Sequence, residues 1–560
     1  MLNRSDDTLS KLNREAEERD AQRKADKLKL PYLNLALLPI ETGALSLVLE
    51  KEARESNMAV IETKGDEVVF VALDPSDAKT QIEIKKLEAK NLKPKIFIVS
   101  QSSLNKAWDY YKYLTKTTAP LMGRIDIDKD RIIGLKEKLI KLDTVKNEIL
   151  AFDFRNNPTG QILEIVLAGA LGNRVSDIHL EPDEKNVRIR YRIDGDLRDV
   201  MTDLDKKIYH YLVSRIKLLA NLKINVGDRA QDGRITMGMG DKDIELRVAI
   251  APSEFGEVIV MRVLDPAAIS LSLPQLGFRE DDLEIVKVEL KRPNGMILNT
   301  GPTGSGKTTT LYAFLKYINS PDSKIITIED PIEYHLEGIE QTQVDPDADY
   351  TFVNGLRSMM RQDPDIILIG EIRDKETSEI AIQASLTGHL VFSTVHANRA
   401  SGAIPRLEDL GVKNTSIGPA MNLIIAQRLI KKLCPECKQK VDIDDPAMRG
   451  KQSLEKFVAK LPARVNKSDY KDFNIYKAVG CDKCSGIGYK GRVAIYELLK
   501  IDKEIENVLI KGGGEIEIDE LARKKGMVTM QEDGILKTIQ GLTTFEEVEK
   551  ITGPLEELEN

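Results

Sequence analysis

Gly295-Met296-Ile297-Leu298-Asn299-Thr300-Gly301-Pro302-Thr303-Gly304-Ser305-Gly306-Lys307-Thr308-Thr309-Thr310 decides how the rest of the chain is read. Met296 to Leu298 is a short apolar run of the kind that forms a buried strand. A glycine-rich turn follows, and Thr308 to Leu315 continues with helix-forming spacing. Strand, G-x-x-x-x-G-K-T and helix together make a phosphate-binding loop. Gly301, Gly304 and Gly306 allow backbone angles closed to other residues. The turn Gly301-Pro302-Thr303-Gly304-Ser305-Gly306 then aims its N–H groups inward, at the positive end of a helix. In such a loop Lys307 reaches the β- and γ-phosphates of a nucleotide. Thr308 supplies a hydroxyl to Mg²⁺, and Thr309 beside it completes the ATP-binding stretch 301–309.

Three more apolar runs lie downstream. Lys324 to Ile328 delivers Glu329-Asp330-Pro331-Ile332-Glu333. Ile366 to Ile369 delivers Gly370-Glu371. Leu390 to Val395 lies between His389 and His396. Strands alternating with helices predict a parallel, doubly wound sheet of the RecA type over 269–433, with its site at the C-terminal strand ends. Hydrolysis in such a site needs a carboxylate that orients water and a cation that offsets the transferring charge. Glu371 is placed for the first role. Glu333 and Glu329 compete to polarise the attacking water, with Glu333 preferred because Pro331 marks where the strand leaves the sheet. His389 and His396 flank one site-forming strand and are read as linked to the nucleotide.

Upstream, residues 1–28 are densely and oppositely charged, a pattern that predicts a solvated, partly helical or disordered tail. A small α/β domain is expected over 29–118, with Trp108 and Tyr111 in its core. A connecting segment over 119–150 opens on a Pro120-Leu121-Met122-Gly123 turn and continues with a Lys/Leu/Ile helical pattern. A second α/β domain is expected over 151–268. In it, Val187 to Ile193 alternates strictly, with Arg188, Arg190 and Arg192 on one face, and turns at Asp194-Gly195. Gly238-Met239-Gly240-Asp241 is another turn signal. Arg247 and Arg262 interrupt apolar strand runs, which is costly unless each meets an anion.

Downstream, Cys434, Cys437, Cys481 and Cys484 form two C-x-x-C pairs and are the chain's only cysteines. That count fits tetrahedral Zn²⁺ over 434–500. Short helices follow over 501–560. The 560 residues exceed one core. With 41% hydrophobic and 31% charged residues the composition is that of a globular protein. No run approaches the ~20 apolar residues of a membrane span, and the N-terminus has no apolar signal core, so a cytoplasmic setting is expected. The net charge of −8 weighs against a nucleic-acid motor and a nucleic-acid partner.

The motifs together resemble the secretion ATPases, and most of all the assembly ATPase of type IV pili and its type II secretion counterpart, over about residues 30 to 555. Thr327 to Glu333 resembles the family's acidic box, and Asp363 to Asp374 its Walker B segment. Thr387 to His396 resembles its histidine box, and Arg174-Val175-Ser176-Asp177-Ile178-His179-Leu180-Glu181-Pro182 the start of its second N-terminal domain. The resemblance implies a homo-hexameric ring that hydrolyses ATP with Mg²⁺. It implies charge-stabilising arginines at Arg247, Arg262, Arg357, Arg361 and Arg492. It also implies work on an inner-membrane platform protein that feeds pilins into a fibre, with a cytoplasmic assembly protein on the N-terminal domain. The chain would then be held at the inner membrane through these partners. The cysteine quartet and the first N-terminal domain favour extension or secretion over retraction.

Overall fold

The computed structural model describes residues 3–35, 40–64, 67–90, 92–113, 124–126, 129–151, 160–238, 243–264, 271–441, 450–555 and 558. The turn signals at Pro120–Gly123 and Met239–Asp241 lie outside them. The described residues fall into two compact units, one from the chain up to Asp126 and one from most of the chain beyond.

In the first unit three strands, β1 (Met58–Lys64), β2 (Glu67–Ala72) and β3 (Lys93–Ile98), lie in that order. Trp108 and Tyr111 are core residues, as their aromatic bulk predicts, and each spends its polar atom on a backbone carbonyl: Met58 O at 3.1 Å and Val48 O at 3.1 Å. The charged N-terminal segment takes the helical form that the sequence allowed, and part of it is docked rather than solvated. Asn3–Leu28 is one helix, with Ala21 and Ala25 buried. Glu18 accepts from Tyr32 (2.5 Å), Ser100 (2.7 Å) and Ser103 (3.0 Å). Ser100 caps the helix Gln101–Asp109, so this carboxylate docks on the positive end of a helix, which a charge count cannot reveal.

The second unit begins with two helices, Lys129–Lys138 and Leu142–Leu150, within the connecting segment whose Lys/Leu/Ile pattern predicts helix; Val145 and Ile149 are buried in the second. Its first sheet contains β4 (Asp177–Pro182), β5 (Val187–Ile193), β6 (Asp196–Leu204), β7 (Gln231–Gly238), β8 (Asp243–Ser253) and β9 (Gly256–Leu264). These run antiparallel in the order β7-β8-β9-β4-β5-β6. Both residues of the Asp194-Gly195 turn have positive φ (49° and 99°), as a tight primed hairpin requires. The apolar face packs on the helix Gly160–Gly172, where the buried Tyr191 donates to Val166 O at 2.5 Å.

The second sheet of this unit carries the phosphate-binding loop. Its strands are β10 (Gly295–Thr300), β11 (Ile325–Glu329), β12 (Glu340–Gln343), β13 (Ile366–Ile369), β14 (Leu390–Val395), β15 (Met421–Leu433) and β16 (Tyr489–Lys500), in the order β12-β11-β13-β14-β10-β15-β16. All pairs are parallel except β15 with β16. β10, β11, β13 and β14 are buried along their whole length, as parallel strands covered on both faces must be. The expected boundary at residue 500 moves. Tyr489–Lys500 completes the ATPase sheet, so the cysteine-bearing insert ends before it. The apolar side chains of the C-terminal helices, such as Ile535, Ile539 and Val548, join the same core as β10 and β14.

Candidate active site

The parallel strands bring their C-terminal ends to one edge. There β10 runs into the loop 301–306 and then the helix Lys307–Ile318. Gly301, Gly304 and Gly306 have φ of 152°, 79° and 91°. A Cβ on Gly301 would lie 2.5 Å from Gln427 O, and one on Gly306 would lie 2.8 Å from Gln427 Nε2. Space and backbone angle both demand glycine, and the loop fits the phosphate cradle read from its spacing. Lys307 Nζ donates to the carbonyls of Gly301 (2.8 Å) and Pro302 (3.2 Å). Burial pushes its ammonium below the usual value, and Glu371 opposes this. Ser305 Oγ is buried and has no hydrogen-bond partner among the described residues. Pro302, Thr303 and Gly304 are exposed, and Thr308 and Thr309 are half-buried at the helix start.

Glu371 lies two residues beyond β13. His396, one residue beyond β14, brings Nε2 to 3.6 Å from Glu371 Oε2, and Arg373 pairs with Oε1 at 2.5 Å. Thr300 and Ala397 exchange two hydrogen bonds (3.0 and 2.8 Å), tying the end of β10 to the end of β14. Lys307, Glu371 and His396 therefore share one edge. His389 does not: it precedes β14, its carbonyl accepts from Gly295 N, and its Nδ1 faces Ala384 O at 2.9 Å. At ~3.3 Å per residue the two histidines stand roughly 20 Å apart.

The two competing glutamates also separate. Glu329, the last residue of β11, is 3% exposed. It is closed in by Thr327 Oγ1 (2.6 Å), Gln341 Nε2 (3.2 Å) and the Tyr312 hydroxyl. Burial pushes its carboxyl above the usual range against those bonds. Glu333 is 28% exposed and faces Arg247 of β8, Nη2 to Oε2 2.9 Å; the same Nη2 donates to Ile332 O at 2.8 Å. Of the five arginines named from sequence, Arg247 is thus brought to an acidic-box carboxylate. Arg262 is held by Asp177 at 2.9 Å. Arg357 is 3.9 Å from Glu376, Arg361 donates to Arg357 O, and Arg492 is exposed on β16. Among the described residues these last three make their contacts away from the loop.

Sequence reasoning missed Gln427 and Arg428. Gln427 Oε1 accepts from Asn299 (3.0 Å) and Thr310 (2.9 Å), buttressing the loop from β15. Arg428 donates to Asn398 Oδ1 at 3.0 Å and would stand 3.1 Å from a Cβ on Gly301. Burial lowers its affinity for a proton. The available signal was a Gln-Arg pair interrupting the apolar run Leu423 to Ile430.

The four cysteines converge. Their Sγ atoms all lie within 4.8 Å of one another. Backbone N–H groups of Cys481 (3.1 Å) and Gly488 (3.2 Å) point at Cys484 Sγ. Four clustered thiols with N–H donors aimed at sulfur are a donor set compatible with tetrahedral zinc.

This fold and edge define a P-loop nucleoside triphosphatase, a RecA-like sheet flanked by an antiparallel domain that reaches its acidic box. The chain belongs to the type II/IV secretion system protein family, whose profile matches residues 155–550, and it is an ATP-hydrolysing motor of that family. Residues 28–118 match the MshEN domain. The chain is 37% identical over 528 residues to the type IV pilus assembly ATPase PilB of Myxococcus xanthus, covering 94% of this chain and 89% of that protein. It is 40% identical to the type II secretion system ATPase E of Vibrio cholerae, covering 80% and 85%. The Legionella pneumophila ATPase DotB shares the fold, with TM-score 0.51 and 21% identity over 71% of this chain and 97% of that one. No helix among the described residues is long and apolar enough to cross a membrane.

Proposed function

We propose that the chain hydrolyses Mg²⁺–ATP as a homo-hexamer and drives pilin extrusion in type IV pilus assembly, acting on an inner-membrane platform protein from the cytoplasmic side. The observation that carries the pilus reading is similarity to a pilus assembly ATPase over 94% of the chain. A type II secretion role is the second reading, favoured by the 40% identity to ATPase E.

In this reading the loop 301–306 and Lys307 bind the phosphates, and Thr308 helps hold Mg²⁺. That ion neutralises charge on the transferring phosphoryl group. Glu371, beside His396, orients the attacking water, and Glu333 polarises it. Arg247 and Arg262 offset the developing charge, with Arg357, Arg361 and Arg492 supplying further cations around the ring. Zn²⁺ on the four cysteines stiffens the insert. The N-terminal domain receives a cytoplasmic assembly partner.

Purified full-length protein with ATP and magnesium is expected to release phosphate as a particle of six chains, while Lys307→Ala releases none. Deletion in the source cell is expected to remove surface fibres; loss of secreted protein with fibres intact would favour the second reading. Stimulation of the ATPase by DNA would contradict both.

A further inference from the structure

Arg234 on β7, Arg247 on β8 and Arg262 on β9 are direct cross-strand partners. The row continues to Asp177 on β4 and Arg192 on β5. Directly opposed residues point to one face of a sheet, and the sequence neighbours Leu246, Val248, Met261, Ile178 and Tyr191 fill the apolar face behind them. With strands ~4.8 Å apart, four guanidiniums and one carboxylate share a strip about 20 Å long.

Like charges directly opposite one another cost stability, so each arginine needs an anion. Arg234 has Glu245 at 3.5 Å and Arg247 has Glu333 at 2.9 Å. Arg262 and Arg192 share Asp177: Arg262 Nε lies 2.9 Å from Oδ1 and Arg192 Nε 3.4 Å from Oδ2. Ser176 Oγ donates to the same Oδ2 at 2.9 Å. Asp177 is 8% exposed, whereas the Arg262 side chain is 53% exposed. The carboxylate is thus the buried base of the pair, and the arginine is its accessible end.

We propose that Asp177 is a positioning residue for ATP hydrolysis: it grips Arg262 by its Nε edge and presents the planar Nη1/Nη2 fork, in register with Arg247, to the phosphates. The inference rests on the reading of Arg262 as a charge-stabilising arginine. An arginine free to rotate gives up much conformational freedom when it grips an anion. Anchoring the Nε edge to a buried carboxylate removes that cost before ATP arrives, and the fork geometry suits a phosphate's oxygens. Asp177 also stands between Arg262 and Arg192 in the row and offsets the repulsion between them.

The test is a double-mutant cycle in the full-length hexamer, with phosphate release measured against ATP concentration. Asp177→Asn and Arg262→Ala are each expected to lower kcat/KM about tenfold, the weight of a hydrogen bond to a charged group. The double variant is expected to be no worse than Arg262→Ala alone, because the carboxylate acts only through that arginine. Asp177→Glu, which keeps the charge, is expected to return most of the loss, and Asp177→Ser takes the amide's place in the cycle if Asp177→Asn does not fold. Additive losses, or an Arg262→Ala or Asp177→Asn protein with unchanged kcat/KM, would overturn the proposal. In either case activity that still depends on Lys307 would leave the ATPase reading standing, whereas activity indifferent to Lys307 would sink that reading instead.

Discussion

Arg279 and Arg247 both hold carboxylates in the second unit, in opposite settings. Arg279 is buried and meets Asp533 (3.1 Å), Asp282 (2.6 Å) and Asp281 (3.1 Å). Lys537 reaches Asp533 at 2.6 Å, the backbone of Tyr496 donates to the same carboxylate, and Arg464 from the cysteine-bearing insert meets Asp282 at 2.7 Å. All three guanidinium nitrogens of Arg279 meet carboxylates, and the network ties the start of the ATPase domain, β16, the insert and a C-terminal helix together. Arg247 answers one carboxylate, Glu333, and one carbonyl, while its Nε has no hydrogen-bond partner among the described residues. A saturated buried network cannot exchange partners without leaving a bare charge. A partly exposed pair with an unused donor can trade its carboxylate for a phosphate. The same residue types therefore serve as a fastening in one place and as working parts in the other.

The largest expected effect breaks the fastening. Asp533→Ala strips the buried Lys537 of its carboxylate and takes one of three from Arg279, and denaturant unfolding is expected to show about 3–5 kcal/mol of lost stability. Next in size, Glu333→Gln should lower kcat roughly 10²–10³-fold, the weight of one preorganised group at a reacting centre. Its unfolding midpoint should barely move, since the pair is partly exposed. A drop in stability comparable to that of Asp533→Ala would erase the contrast.

Acid sharpens it further. Burial opposes ionisation of Asp533, but Lys537 and Arg279 outweigh burial and hold its carboxyl below the usual range. A depressed pKa stabilises the fold above the unfolded value of about 4, and that stability is lost as pH falls through the folded value. Stability measured from pH 5 downward should therefore fall more steeply in wild type than in Asp533→Asn. The smallest effect is expected at the far end of β14. His389→Ala should change kcat less than twofold, because its ring serves the Ala384 carbonyl, whereas the same change at His396 touches Glu371.

Local features were legible because local residues make them. The phosphate loop is a backbone shape that three glycines permit, and β10, β11 and β14 are apolar runs whose C-terminal ends must share an edge. The alternation of Val187 to Ile193 marks a strand that is present over those same residues. What escaped is held by distant partners. Gln427 reaches Thr310 across 117 positions, and Arg279 reaches Asp533 across 254. Sequence spacing carries no record of such pairings. His389 and His396 are near in sequence and on one strand, yet a strand's length puts them at opposite ends. Tyr489–Lys500 was read with the cysteines beside it because its antiparallel partner, β15, lies on the far side of the insert.

The most direct test of the central claim, that this sheet edge hydrolyses ATP, compares binding with turnover in Glu371→Gln. ATP affinity, measured by equilibrium binding with magnesium, is expected to stay near wild type because the loop and Lys307 are intact, while phosphate release collapses. A Glu371→Gln protein that releases phosphate at the wild-type rate would contradict the account.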